Sequence, residues 1–256
     1  MKILFVSMTL FGPVCAQFIE PSWRGGEMTS HAEWDVFTKA KFEPNSPDIA
    51  ADDATITCST SSAFLTSAGN IYSFQAPTFF QLDDTTEFTV RTIFIQISAL
   101  GSGVDVGSAK LITTNVAGET VSLSATKTFI ASEEELTGEN GGIGTLYGLQ
   151  WDLTRMPISG SYTILFNATE SSLSLGGVAL DTSADYVEIP APQPLTVKSG
   201  GDEIEVRWFG SRQLQSSTNL ASGWVEVPGS AGVNAITLPR ANRASFFRLV
   251  QLTVTE

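Results

Sequence analysis

The run at residues 87–98 constrains the fold of this chain more than any other segment. It reads EFTVRTIFIQIS and is rich in β-branched and aromatic residues, which favour an extended strand. Alternate side chains of a strand point to opposite faces. Both faces of this run would be apolar, with Phe88, Val90 and Phe94 on one and Ile93, Ile95 and Ile97 on the other. Such a pattern predicts a central strand between two packed layers.

Shorter runs of the same kind recur along the chain before residue 190. Residues 162–168 alternate so that Tyr162, Ile164 and Phe166 share one face. Clusters of Gly, Asn and Asp separate the runs, as turns require. Eight or more short strands at this spacing predict an all-β fold, a jelly-roll-like β-sandwich. The further strands are predicted near residues 70–74, 78–82, 109–114, 120–129, 145–152 and 172–180.

Two segments are ambiguous between helix and other structure. Ser30 and Glu33 have the spacing of a helix capping box, but Ala32, Trp34 and Val36 also alternate as in a strand, which we favour. The acidic run at residues 132–136 fits either one helical turn or a solvated loop.

The first sixteen residues have the composition of a secretory leader. Lys2 supplies the positive start, residues 3–11 form a short apolar run, and residues 14–16 (VCA) form a small-residue cleavage site. The apolar run is shorter than the roughly 20 residues that span a bilayer, and a buried first strand is the alternative. We therefore expect a secreted or extracellular protein, with the periplasm also open, and no integral membrane segment after leader removal.

Removal of a leader at 1–16 would leave Cys58 as the single cysteine, so no intramolecular disulfide could form. Cys58 lies in a strand-like run, where a lone cysteine is usually a small buried apolar residue. The fold would then depend on its hydrophobic core.

A proline-rich segment at residues 190–194 divides the chain. Three prolines in five positions stiffen the backbone and remove amide donors. Residues 17–194 carry 22 acidic and 7 basic side chains, a net of −15, whereas residues 195–256 carry 5 acidic and 6 basic, a net of +1. We predict a β-sandwich at residues 17–189, a linker at 190–194 and a small β module at 195–256.

The C-terminal segment carries an ordered set of short patterns: IEVRW from Ile204, LQSSTNL from Leu214, GWVEVPG from Gly223 and ASFFRL from Ala244. This set resembles a short β module that ends many secreted proteins of verrucomicrobial and planctomycete type. The resemblance implies an appended module for adhesion, sorting or spacing.

The larger segment resembles the jelly-roll ectodomains of uncharacterised exported proteins of such bacteria. The matching pieces are EWDVF from Glu33, GNIYSF from Gly69, and LQWDL from Leu149 with the strands that follow it. The chain departs from that pattern because it ends without a sorting tail. Release or non-covalent surface attachment is therefore expected, and the resemblance implies no catalytic residues.

Trp23 and Arg24 are the candidate ligand-binding residues. Carbohydrate-binding sandwiches use exposed aromatic rings as platforms for sugar faces, with polar side chains nearby to hold hydroxyl groups. Trp23 lies in the loop-like sequence PSWRGG, whereas Trp34, Trp151, Trp208 and Trp224 lie in apolar runs typical of a core. Packing of Trp23 is the alternative.

Calcium is the one cofactor that the sequence leaves open. Asp48, Asp52 and Asp53 place three carboxylates within six positions, and Ca²⁺ prefers several oxygen ligands. The segment does not match an EF-hand loop. Plain solvation of an acidic loop is the favoured alternative.

Several function classes are disfavoured by what the chain lacks. A net charge of −13 repels phosphate backbones, so nucleic acid is not an expected partner. His31 is the single histidine and there is no G-x-S-x-G elbow, which disfavours a nucleophilic triad.

The sequence thus favours a non-catalytic exported protein for surface or extracellular interaction, with a glycan or a surface protein as its partner. The alternative is a divergent glycan-active hydrolase or lyase using two acidic residues about 5–10 Å apart.

Overall fold

The structure is a computed structural model that describes residues 18–50, 53–115, 117–136, 142–191, 196–200, 203–208, 212–219, 222–231, 233, 235–239 and 245–251. The leader predicted at 1–16 and residues 192–194 of the predicted linker lie outside them. The described residues form strands, bends and turns without a helix, which confirms the all-β prediction. The chain divides into two compact units, the first ending at Ile189 and the second beginning at Pro190.

In the part of the chain that the structure describes, no helix has the length and apolar character needed to cross a membrane.

The described residues of the first unit contain thirteen strands. They are β1 (Thr29–Trp34), β2 (Ile49–Ala50), β3 (Thr55–Cys58), β4 (Phe64–Leu65), β5 (Ile71–Tyr72), β6 (Phe79–Val90), β7 (Thr92–Gly101), β8 (Val104–Thr114), β9 (Thr120–Ser124), β10 (Lys127–Leu136), β11 (Gly142–Asp152), β12 (Ile158–Ala168) and β13 (Leu173–Ser183).

These strands form two antiparallel sheets. Sheet A has eight strands in the order β10-β11-β7-β13-β1-β2, with β5 pairing β13 and β4 pairing β5. Sheet B has five strands in the order β3-β6-β12-β8-β9. The apolar inner faces of the two sheets form one core, which makes the unit a sandwich.

Large apolar side chains at alternate positions fill this core. Sheet A contributes Ile93, Ile95, Ile97, Leu149 and Trp151, and sheet B contributes Ile56, Leu82, Leu111, Ile164 and Phe166. The indole N–H groups of the two buried tryptophans are satisfied. Trp34 Nε1 donates to the Asn45 carbonyl at 3.0 Å, and Trp151 Nε1 donates to the Leu123 carbonyl at 3.1 Å.

The run at residues 87–98 is divided between the two sheets. β6 ends at Val90 in sheet B, and β7 begins at Thr92 in sheet A. The prediction of a single strand was therefore wrong, although β7 is a central strand with every residue from Thr92 to Ala99 buried. Residue composition favours extended backbone on both sides of Arg91, and it does not reveal the crossing between layers.

Two other local predictions were also wrong. The strand predicted at 120–129 is two strands, β9 in sheet B and β10 in sheet A. Residues 132–136 form neither a helical turn nor a loop, because β10 continues to Leu136 in antiparallel register with β11. The strand favoured at Ser30 to Trp34 is confirmed as β1, with Ser30, Ala32 and Trp34 buried.

The described residues of the second unit form six strands in two three-stranded sheets. Their order is β14-β15-β18 and β17-β16-β19. Val206, Trp208, Leu214 and Val227 form its buried core. Trp224, which the sequence suggests as a core residue, is half-exposed instead, with the Arg248 guanidinium 4.5 Å above its ring. The strands are β14 (Thr196–Gly200), β15 (Glu203–Arg207), β16 (Arg212–Ser217), β17 (Val225–Glu226), β18 (Ala235–Pro239) and β19 (Phe246–Gln251).

Candidate functional site

Arg24, one of the two predicted ligand-binding residues, is bonded to the fold itself. Turns at residues 21–26 bring its guanidinium over the outer face of sheet A. Arg24 Nε and Nη2 donate to Asp181 Oδ1 and Oδ2 at 2.7 and 2.8 Å, a bidentate pair. Asp181 lies on β13 and is fully buried. A buried carboxylate is costly without such a partner, so Arg24 stabilises the fold by pairing with Asp181.

His31 extends this ionic network. Its Nδ1 lies 3.0 Å from Asp181 Oδ1, and its Nε2 lies 3.2 Å from Glu33 Oε2. Burial alone would lower the pKa of His31, but its contacts with Asp181 and Glu33 outweigh burial and raise the pKa from 6.5 to about 9. His31 is therefore a cation at neutral pH. We call Arg24, His31, Glu33 and Asp181 the ionic network.

Residues 18–24 form a strap across the outer face of sheet A. Gln96 on β7 bonds the backbone of Ile19 twice, accepting from its N–H at 2.6 Å and donating to its carbonyl at 2.9 Å. Phe18 packs in an apolar cluster with Leu146 and Ala179. The strap therefore covers part of the outer face of sheet A.

Trp23 belongs to the same strap and is half-buried. Its indole Nε1 is buried without a hydrogen-bond partner. A ligand could therefore reach only part of this ring, and it could not reach the indole N–H without a rearrangement of the strap.

The structure describes two of the three candidate calcium ligands, Asp48 and Asp53. Asp48 Oδ2 accepts from the backbone N–H groups of Asp35 and Val36 at 2.7 and 2.9 Å, a bond pattern that shapes the loop. Asp53 is exposed, and Asp52 lies outside the described residues. Among the residues that can be described, no group of three or more His, Cys, Asp or Glu side chains could hold a metal ion.

Glu33, Asp35 and Asp48 are neighbouring carboxylates at the end of β1. Burial, the charges of Glu33 and Asp48 and a hydrogen bond with Glu33 raise the pKa of Asp35.

A different feature is exposed to solvent: aromatic rings at one end of the sandwich. Four phenylalanines are exposed in the described residues, and they follow or precede the strands that meet at this end. They are Phe42, Phe64, Phe74 and Phe79, with exposed fractions of 61, 39, 66 and 52%.

Phe64, Tyr72 and Phe74 contact one another, and we call these three residues the aromatic platform. The ring centroids of Phe64 and Phe74 are 5.5 Å apart in a stacked arrangement. Tyr72 meets Phe64 and Phe74 edge to face at 5.6 and 4.5 Å. These are favourable geometries for aromatic pairs, so the rings hold one another in place.

The hairpin of β4 and β5 explains why the platform faces outward. Phe64 pairs with Tyr72 and Leu65 pairs with Ile71. Ile71 is buried in the core, so strand alternation directs Tyr72 and Phe64 to the outer face of sheet A. Gly69, at φ +82°, closes the turn, and a Cβ there would lie 2.8 Å from Val36 Cγ1.

Phe42 and Phe79 flank the end of β3, and we call them the edge pair. Phe42 N–H donates to the Cys58 carbonyl at 2.8 Å, and Ser59 N–H donates to the Phe79 carbonyl at 2.9 Å. Phe42 has φ +60°, a conformation that bulky residues rarely adopt. The neighbouring Asn45 accepts from Thr38 and Lys39 N–H groups and so fixes the loop that presents Phe42.

Hydrogen bonds hold the loops beside the platform and the edge pair. Thr60 Oγ1 accepts from Phe79 N–H at 3.0 Å, and Ser62 Oγ lies 2.7 Å from Ser73 Oγ, beside Phe74. No charged residue occurs in residues 54–82, although the chain as a whole has a net charge of −13. Residues 54–82 therefore contribute exposed rings, hydroxyl groups and a neutral sequence to this end of the sandwich.

Sequence reasoning missed this site because it looked for tryptophan. The charge-free stretch at 54–82 was the available signal, since it contains five aromatic rings in an acidic chain. Exposure of those rings depends on the hairpin register, which the sequence pattern alone does not give.

Comparisons with known proteins add little to this geometry. No protein-family model matches the chain, and no curated protein matches it. A solved β-1,2-glucanase from Parabacteroides distasonis aligns over 89% of this chain at 8% identity and a TM-score of 0.25. The alignment covers 35% of the glucanase, and a likeness at this score carries no inference about fold or function.

Proposed function

We propose that this is a non-catalytic exported protein that binds a neutral glycan on the aromatic platform, in surface or extracellular interaction. The observation that carries the proposal is the placement of all four exposed phenylalanines of the described residues at one end of the sandwich. The pattern of residues 1–16 supports export.

Exposed phenylalanine is unfavourable unless a partner covers it. Full burial of a phenylalanine side chain is worth about 1.5–3 kcal/mol relative to exposure in water. Phe74 is 66% exposed although its ring is held rigidly by two neighbours. A rigid apolar surface of this kind loses little conformational entropy on binding and is typical of an interaction site.

The chemistry of the platform favours a neutral sugar as the ligand. The C–H groups on one face of a sugar ring pack on the electron-rich face of an aromatic ring. The half-buried Ser62 hydroxyl lies in the adjoining loop and can exchange hydrogen bonds with a sugar, whereas the hydroxyls of Ser73 and Thr60 are buried and bonded within the fold. Residues 54–82 contain no cationic side chain, and the neighbouring Lys41 donates its Nζ to the Ser61 carbonyl.

A glycan array probed with the purified protein tests the proposal. We expect binding to neutral glycans, with loss of signal in Phe74→Ala and no loss in Tyr186→Ala. Tyr186 is the matched control because it is an exposed aromatic residue beyond the far end of β13. Absence of binding to every glycan would overturn the proposal.

A reducing-end assay on the bound glycans separates binding from hydrolysis. We expect no new reducing ends after prolonged incubation. Release of reducing sugar that is lost in Glu33→Gln or Asp35→Asn would instead support a hydrolase.

A further inference from the structure

We infer that the ligand is a long neutral glycan chain that crosses the end of the sandwich and contacts both the aromatic platform and the edge pair. This inference rests on the proposed function, and it adds the edge pair as a second contact site and chain length as the specificity determinant.

The two sites lie on opposite sides of the sandwich. Tyr72 of the platform faces outward from sheet A, because its neighbour Ile71 is in the core. Phe79 of the edge pair faces outward from sheet B, because its neighbour Phe80 is in the core. Packed sheets are about 10 Å apart, so a ligand that contacts both sites must cross at least that distance.

The chain connection gives an upper limit to the same distance. Phe74 and Phe79 are five residues apart, which is at most about 18 Å of extended backbone. Their separation exceeds the width of a single sugar ring, and several linked rings can bridge it. A short sugar would therefore occupy the platform alone.

The edge pair has the properties of a built contact site. Phe42 and Phe79 stand on either side of the backbone at Cys58 and Ser59, about two strand spacings or roughly 10 Å apart. Both are more than half exposed. The left-handed conformation of Phe42 is held by its bond to the Cys58 carbonyl and by the Asn45 loop, and such strain persists where a side chain must be presented.

The surface between the two sites suits a neutral chain. The loops at 59–63 and 73–78 carry serine and threonine and no charged side chain. Lys41 Nζ donates to the Ser61 carbonyl at the edge of this surface, so part of its hydrogen-bonding capacity is used within the fold. Lys39 pairs with Glu43 at 3.1 Å.

Affinity measured against chain length tests the inference. The probes are purified oligosaccharides of the glycan that the array identifies, from disaccharide to octasaccharide, titrated into the full protein. We expect affinity to rise about 10-fold with length and then level off, because the second contact becomes intramolecular. In Phe42→Gly/Phe79→Ser the rise should disappear while disaccharide affinity stays within about 2-fold of wild type.

Glycine at position 42 accommodates the left-handed backbone, so the double variant should fold. Phe79→Ser alone is the second variant, and it should remove part of the rise. An unchanged length dependence in both variants, or equal affinity for all lengths in the wild type, would overturn the inference and leave the proposed function intact. Absence of all glycan binding would overturn both.

Discussion

The strap over sheet A and the aromatic end of the sandwich differ in how their side chains are satisfied. The strap contains charged residues, yet Arg24, His31 and Asp181 compensate one another inside the fold. The aromatic end contains apolar rings, yet Phe64 and Phe74 remain in contact with water. In this protein the charges of the ionic network compensate one another inside the fold, whereas the rings of the aromatic end stay exposed.

The energetic reason lies in what each group needs. A buried carboxylate such as Asp181 is costly unless it is paired, so the fold supplies two cations. An exposed phenylalanine contributes little to the stability of the fold. Its removal from water by a ligand is favourable and adds to the binding free energy. Stability should therefore depend on the ionic network, and binding on the platform.

The largest expected effect comes from breaking the ionic network. Asp181→Ala leaves Arg24 and His31 without their shared carboxylate, and we expect a loss of about 3–5 kcal/mol in the free energy of unfolding. Chemical denaturation measures it, with Asp53→Ala, at an exposed carboxylate, as the control. Equal stability of Asp181→Ala and wild type would remove the structural role of the network.

A smaller effect is expected from the titration of His31. Its pKa is raised from 6.5 to about 9 in the fold, so the stability it contributes is full below about pH 6.5 and is lost as the pH rises through about 9. After allowance for solvent screening of this half-buried group, we expect a loss of about 1–2 kcal/mol.

The single histidine makes this prediction easy to test, because one imidazole resonance reports the titration by NMR. His31→Gln should flatten the pH dependence of stability in the same range. A midpoint near 6.5 would show that the network does not hold the imidazolium.

The smallest effect is expected from calcium. Asp48 accepts two backbone hydrogen bonds and Asp53 is exposed, so calcium would compete with the loop's own hydrogen bonds at Asp48 and with water at Asp53. We expect the same melting temperature in calcium and in chelator, by differential scanning calorimetry. A melting temperature that rises with calcium in wild type, but not in Asp48→Asn, would show that calcium binds at Asp48.

The sequence predicted most strands but not their sheets. Alternation in residues 162–168 identified β12, and the alternation of Ala32 and Trp34 identified β1. Arg91 divides the run at residues 87–98 between β6 of sheet B and β7 of sheet A. The residue types on both sides favour extended backbone, and this preference is the same in either sheet. The pairing of strands that are distant in sequence therefore determines which sheet each segment joins, and the local pattern does not show it.

The candidate site was less predictable than the fold. Trp23 and Arg24 looked loop-like because they lie among Gly, Ser and Pro, and nothing local reveals that Asp181, far along the chain, binds Arg24. No local pattern singled out Phe64 and Phe74. Only the register of the β4–β5 hairpin shows that Ile71 occupies the core and that these rings stay outside.

The most direct test of the account is calorimetric titration of the identified glycan into Phe64→Ala/Phe74→Ala, beside wild type and Tyr186→Ala. Loss of two exposed rings should weaken binding about 30-fold, or about 2 kcal/mol, with Tyr186→Ala unchanged. Unfolding stability should change little, since both rings are exposed. Wild-type affinity in the platform variant would contradict the claim that this surface is the binding site.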